Sequence, residues 1–236
     1  DEGCISGGCL DFDGDKDYVF VGDKDSLEQQ EFTLSFWAKT DNYKTPFNGG
    51  IAKGHIFGRS AYFSYRIDFR YYSNKDQTLV RGGITTGPET YIGLTAPLED
   101  NNWHMWALTV KDNKIKFYKD GILQGEKEFE GSIDYEKNFN NFVIGAGYDG
   151  AYSFKGKMDE VKFYNRALTE DEIKAEYESL KPKMYWCRVA HYDGKVKRTY
   201  NIGFTRCAGD GSELIKKGFN DLNECNAHCN AGSWKD

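Results

Sequence analysis

The chain has 236 residues with 16% aromatic residues, 26 Gly and only 4 Pro, a balance that suits many strands joined by tight turns rather than a disordered chain. Residues 1–180 carry 21 Lys and Arg against 31 Asp and Glu, a net −10, and residues 181–236 carry 10 against 6, a net +4; an acidic body argues against nucleic acid as the main partner, because phosphate binding needs a basic face. The longest apolar runs are too short to span a bilayer and no charged-then-apolar leader opens the sequence, which leaves either a cytosolic chain or one whose leader has been removed.

Cys4-Ile-Ser-Gly-Gly-Cys9 is a Gly-rich loop able to close on itself as a small disulfide ring. Its spacing is longer than the C-x-x-C of redox pairs, so a structural staple is expected. Two short strands follow, at Leu10 and Phe12 and at 18–21, around the turn Asp13-Gly14-Asp15-Lys16-Asp17. Asp and Gly are ordinary turn formers, because Asx side chains bond their own backbone. The sharper reading is a hard cation on Asp13 and Asp17, although the spacing is not that of an EF-hand loop.

In residues 31–40, Phe32, Leu34 and Phe36 share one face and Thr33, Ser35 and Trp37 the other. Bulk on both faces predicts a central strand with Trp37 in the core. From 41 to 100 the pattern loosens into aromatic-rich strands and Gly-punctuated loops. Loops and strand edges are where a sandwich builds binding surfaces. Tyr43, Phe47, Tyr71, Tyr72 and Tyr91 are therefore candidates for stacking on sugar rings, against the plainer reading of packing residues.

Residues 102–123 encode three antiparallel strands with almost no loop between them. Trp106, Leu108 and Val110 alternate with Ala107 and Thr109, the pattern of a half-buried strand. Asp112-Asn113 turns the chain, Ile115 and Phe117 repeat the alternation, and Asp120-Gly121 turns it again. Asp-Gly suits a type I′ loop, which needs positive φ at both central residues. The loop at Tyr148, Asp149 and Tyr152 adds two aromatic groups and a carboxylate that either join a ligand site or form a plain solvent-facing hairpin. The last strand of this body places Met158, Val161 and Phe163 in the core.

Thr169-Glu-Asp-Glu172 is a capping box, and Leu168 with Ile173 is the matching hydrophobic staple. A helix runs from there to about Leu180, and Pro182 stops it. After it comes a module of residues 181–236, with a hairpin around Asp193-Gly194 and the cysteines Cys187, Cys207, Cys225 and Cys229. Six Cys at the two ends of the chain read as three disulfides of an exported protein. The rival is a zinc site on the last four, but only Cys225 and Cys229 are close in sequence, whereas structural zinc sites bring two close pairs. So small a core needs such staples, worth ~2–5 kcal/mol each.

Five stretches, in order, resemble the laminin G-like (concanavalin A-like) family. They are Leu10-Asp-Phe-Asp-Gly-x-x-Asp17-Tyr-Val, Phe32-Thr-Leu-Ser-Phe-Trp37-Ala-Lys, Trp103-His104-x-x-Ala107-Leu-Thr109, Phe117-Tyr118-x-Asp120-Gly121, and Phe154-x-Gly156-Lys-Met-Asp159-Glu160 running on to Leu168. Their combination is specific, although each alone is not, and it covers about residues 9–180. The resemblance implies an all-β fold, an antiparallel jelly-roll β-sandwich over residues 1–180 whose one short helix packs beside the late strands. Residues 181–236 resemble nothing recognised and read as a small disulfide-stapled C-terminal appendage. The resemblance also implies a calcium site on the body, which we place at Asp13 and Asp17 joined by Asp159, and it makes His104 a framework residue.

The same architecture hosts glucanases and lyases, so fold alone does not decide function. A retaining glycosidase of this type would carry Glu-x-Asp-x-x-Glu on one strand, and the sequence has no such triplet, nucleophile elbow or phosphate loop. The expectation is a secreted or cell-surface, non-catalytic, lectin-like module that binds a glycan or cell-surface glycoprotein, with calcium assisting. The alternative is a structural or adhesive module that binds a protein partner in a surface assembly.

Overall fold

A computed structural model describes residues 3–40, 48–54, 63–87, 90–135, 142–145 and 154–182, with strands at 185–192, 195–202, 207–208 and 214–215. For residues 48–49, 52–54 and those after 182 the description is of the backbone. The chain divides into two compact units, Asp1–Leu180 and Lys181–Asp236.

In the first unit the strands are β1 (Leu10–Asp13), β2 (Val19–Gly22), β3 (Phe32–Thr40), β4 (Asn48–Gly54), β5 (Phe63–Tyr72) and β6 (Gln77–Thr86). They continue with β7 (Thr90–Leu98), β8 (His104–Lys111), β9 (Lys114–Lys119), β10 (Ile122–Glu128), β11 (Phe142–Ile144) and β12 (Lys155–Tyr164), before the helix α1 (Glu170–Leu180). Two six-stranded antiparallel sheets result, ordered β1-β12-β3-β8-β9-β10 and β2-β11-β4-β5-β6-β7. This is the expected jelly-roll sandwich. In the second unit β13 (Tyr185–Tyr192) pairs with β14 (Lys195–Ile202), joined across Asp193-Gly194, and β15 (Cys207–Ala208) pairs with β16 (Leu214–Ile215).

Between the sheets lies an aromatic core that includes Phe32, Phe36, Tyr65, Phe69, Trp106 and Phe117, all 1% exposed or less. Trp106 stacks on Phe117 at 5.7 Å and meets Phe69 edge-on at 6.0 Å, arrangements that aromatic quadrupoles favour. The β8–β9 and β9–β10 turns are both of the I′ kind, with positive φ at Asp112 and Asn113 and at Asp120 and Gly121.

The strand β8 departs from its half-buried pattern, for His104 to Val110 are buried throughout. The reason is α1, which covers the outer face of the first sheet. Met105, Ala107, Trp37 and Tyr118 pack there with Leu168 and Ile173, and Tyr177 stacks on Trp37 at 5.5 Å. The helix start is built as the capping box requires: the Glu172 amide donates to Thr169 Oγ1 at 3.2 Å, and the Thr169 amide donates to Glu172 Oε2 at 2.9 Å.

His104 acts as a framework lock. Its Nδ1 lies 2.7 Å from Asp120 Oδ2 and its Nε2 lies 3.0 Å from Asp100 Oδ1, while the Met105 amide donates to Asp120 Oδ1. Burial works against the imidazolium, but Asp120 and Asp100 overcome it and raise the pKa above its ordinary value, about 6.5. A raised histidine pKa stabilises the fold most fully below about pH 6.5 and ceases to do so as pH rises through the raised value. We therefore expect the urea midpoint to fall between pH 6 and pH 9 and His104→Gln to flatten that fall. Parallel pH profiles for the two proteins would show that His104 carries no such charge.

Candidate functional site

Cross-strand register assembles one row on the outward side of the second sheet. Phe20 of β2 pairs with Val143 of β11, Val143 with Ala52 of β4, Ala52 with Arg66 of β5, Arg66 with Gly83 of β6, and Gly83 with Gly93 of β7. The alternate residues Tyr65, Ile67 and Phe69 point into the core, so Arg66, Asp68 and Arg70 stand on the outward side.

At the β6 and β7 end of the row the two glycines make a shelf for Tyr91. A Cβ on Gly93 would fall 2.5 Å from the Tyr91 ring, and one on Gly83 would fall 2.7 Å from its hydroxyl. The ring thus rests across both glycines at an exposure of 39%. Arg66 lies over it, its guanidinium carbon 4.5 Å from the Tyr91 centroid and 4.9 Å from that of Phe63. With a ring near each, the guanidinium is held by cation–π contact.

Asp68 joins two arginines. Arg81 donates to Asp68 Oδ2 through Nε at 3.1 Å and through Nη2, while Arg66 Nε approaches Asp68 Oδ1 at 3.2 Å. The second approach lacks hydrogen-bond alignment, so Arg66 Nε and Asp68 Oδ1 are buried without a hydrogen-bond partner among the described residues. Burial alone would lower the Arg81 pKa, but the Asp68 carboxylate reverses the effect and holds it above its usual range. The arrangement is a flat apolar ring beside fixed, charged N–H donors.

The residues named from the sequence fall in different places. Tyr91 is in this site. Tyr71 donates to Asp76 Oδ1 at 2.9 Å and Tyr72 lies near Arg70, both at the β5–β6 turn, at the far end of the strands from Tyr91. Tyr43, Phe47, Tyr148, Asp149 and Tyr152 lie outside the described residues, as do Cys225 and Cys229. Cys187 and Cys207 lie on β13 and β15, where only the backbone is described. Cys4 and Cys9 form a disulfide.

The three expected calcium ligands do not come together. Asp13 accepts the Asp15 amide at 2.6 Å and Asp17 accepts the Asp13 amide at 3.1 Å, the self-bonded turn that Asx residues favour. Asp159 lies elsewhere because β12 runs away from that turn. Asp13 pairs with Lys155, and the further residues to Asp159 span about 13 Å of strand. Both Asp159 oxygens are engaged by backbone amides, Oδ2 by Ile5 at 2.8 Å and Ser6 at 2.9 Å, and Oδ1 by Glu160 at 2.8 Å. It anchors the Cys4–Cys9 ring, which Trp103 also holds by donating to the Gly3 carbonyl. Calcium takes six to eight oxygens, and the described residues gather no group of three or more His, Cys, Asp or Glu suited to a metal. The three carboxylates therefore do not fit one shared calcium ion.

Residues 13–174 match the family described as the concanavalin A-like lectin/glucanases superfamily. The chain belongs to that superfamily. Among solved structures, this member of the superfamily is similar to the CBM40 of Ruminococcus gnavus IT-sialidase bound to α2,3 sialyllactose, at 14% identity and TM-score 0.59 over 74% of this chain and 100% of that one. It is similar to the botulinum neurotoxin serotype D ligand binding domain in complex with N-acetylneuraminic acid, at 12% identity and TM-score 0.54 over 79% and 51%. It is also similar to domain 4 of AbnA, a GH43 extracellular arabinanase from Geobacillus stearothermophilus, in complex with arabinotriose, at 17% identity and TM-score 0.50 over 72% and 81%. At these identities the likeness is one of fold.

Sequence reasoning passed over Arg66, Asp68, Gly83 and Gly93. The signal was the alternation itself: charged residues at the outward positions of β5, between Tyr65, Ile67 and Phe69. We expect Asp159→Asn to cost about 1.5–3 kcal/mol, the range for hydrogen bonds to a charged group, equally in EDTA and in Ca²⁺. Urea unfolding checks this, and a loss seen only with calcium would return Asp159 to a metal role.

Proposed function

We propose that residues 1–180 form a non-catalytic glycan-binding module whose binding face is the outward side of β5, β6 and β7. The observation that carries this reading is Tyr91, laid across Gly83 and Gly93 under Arg66 and 39% exposed. A sugar ring offers one apolar face and a rim of hydroxyls, and such a site supplies an aromatic plane with polar groups at its edge. Support comes from glycan complexes on the same architecture: a CBM40 with sialyllactose, a toxin domain with N-acetylneuraminic acid and an arabinanase domain with arabinotriose. The non-catalytic reading draws on the single carboxylate among the described residues of the site, Asp68, which is tied to arginine, where glycosidases use a pair. The Cys4–Cys9 disulfide supports an exported protein.

A second reading, an adhesive module for a protein partner, is favoured by another observation. Tyr18, Phe20 and Val21 are 51%, 58% and 38% exposed on or beside the edge strand β2, and edge strands are ready templates for pairing.

Glycan screening of the full chain, in EDTA and again in Ca²⁺, tests the proposal. Tyr91→Ala is expected to weaken glycan binding by up to about tenfold, since aromatic contacts contribute about 0.5–1.5 kcal/mol. Gly93→Ala should do the same by lifting the ring, with little change in melting temperature because the added methyl meets a side chain. No bound glycan would move the adhesive reading to the front, and full binding by both variants would overturn the Tyr91 face as the binding site.

A further inference from the structure

The outward positions of β5, β6 and β7 hold three arginines, Arg66, Arg70 and Arg81, and one carboxylate, Asp68. This positive face belongs to a unit whose residues 1–180 carry a net −10. A local sign opposite to that of the whole body is a selection device, because charges beyond about 8 Å are screened at physiological salt and the nearby ones decide. Surface arginine is no site by itself, but here the guanidiniums are fixed. Arg81 is clasped to Asp68, and Arg66 lies over the Phe63 and Tyr91 rings. Arg66 Nε is buried and turned toward Asp68, so its remaining N–H groups are the part left to a ligand, and guanidinium N–H groups match the planar, two-oxygen geometry of a carboxylate.

We infer that the glycan recognised on this face is acidic, a sugar bearing a carboxylate, with Arg66 and Arg81 as the donors that select it and Tyr91 as the surface under its ring. The inference rests on the glycan-binding reading above. Asp68 already sets a carboxylate against both arginines, hydrogen-bonded to Arg81 and ion-paired with Arg66. It also moderates the charge: three guanidiniums less one carboxylate leave a net +2 at these outward positions. A polysulfated chain carries far more charge than that and would meet the acidic body along its length.

The test uses the full chain and ligand pairs that differ only in charge. 3′-Sialyllactose and a glucuronate-terminated disaccharide, each beside its methyl ester, are titrated by calorimetry, with heparin-derived oligosaccharide as the polysulfated probe. We expect at least tenfold tighter binding of one or both free acids than of their esters, weakening with salt, and the pair that responds identifies the sugar. Arg66→Gln is expected to erase the acid-over-ester preference; should that variant fail to fold, the ligand pairs still decide. Equal binding of acids and esters would overturn the inference while leaving the glycan-binding reading intact. Tighter binding of the polysulfated probe would overturn the carboxylate assignment. Binding of none of these probes, with neutral glycans bound in the screen, would overturn the inference alone; no glycan bound at all would overturn both.

Discussion

The contact on which this sandwich turns is the one between Gly82 and Phe117. A Cβ on Gly82 would fall 2.5 Å from the Phe117 ring, so only a bare backbone lets that ring reach across to β6. Phe117 in turn stacks on Trp106, and Trp106 meets Phe69. Close packing makes an added methyl costly at such a point, typically 1–3 kcal/mol. The next residue, Gly83, points to the other side of the sheet and carries the end of Tyr91. Two adjacent glycines therefore do unlike work, one admitting the opposite sheet's core and the other making the shelf of the candidate site. The period-2 geometry of a strand makes that pairing obligatory.

Much of the fold was legible in the chain because its signals are local. The β8–β9–β10 meander follows from alternation and from turn residues that accept positive φ, and Asp112, Asn113, Asp120 and Gly121 all adopt it. The capping box and staple of α1 lie within Leu168–Ile173 and needed no tertiary knowledge. The buried outer face of β8 was not legible, because what covers it comes from α1, sixty residues downstream.

The candidate site was harder to read for the same physical reason. Arg66, Gly83 and Gly93 become neighbours only through register across three strands, and register is set by the hydrophobic pattern of whole strands rather than by any short motif. Tyr91 was named as an aromatic candidate, but nothing near it in sequence marks the glycines beneath it or the arginine over it. The reverse error is equally instructive. Asp13, Asp17 and Asp159 have the right chemistry for a cation, yet the antiparallel pairing of β1 with β12 carries Asp159 away from the others. There it meets the backbone amides of Ile5, Ser6 and Glu160. Donor type can be read from a sequence; convergence requires the strand partners.

A sandwich has two outer faces, and here the two are made differently. On the first sheet Trp37, Met105, Ala107 and Tyr118 are apolar or largely so and lie under α1, with Ile5 of the disulfide ring packed at the same cluster. Burial of that face is a stability device, since each large side chain removed from water contributes about 1.5–3 kcal/mol. On the second sheet the outward positions of β5, β6 and β7 mix arginine, aspartate, glycine and threonine with Tyr72, Leu79, Tyr91 and Pro97. Charged groups held among aromatic rings gain from fixed geometry rather than from burial. Arg81 remains charged despite its partial burial because Asp68 compensates it. The chemistry of the first face thus fits it to holding the fold together, and the helix at the end of the domain is what covers it.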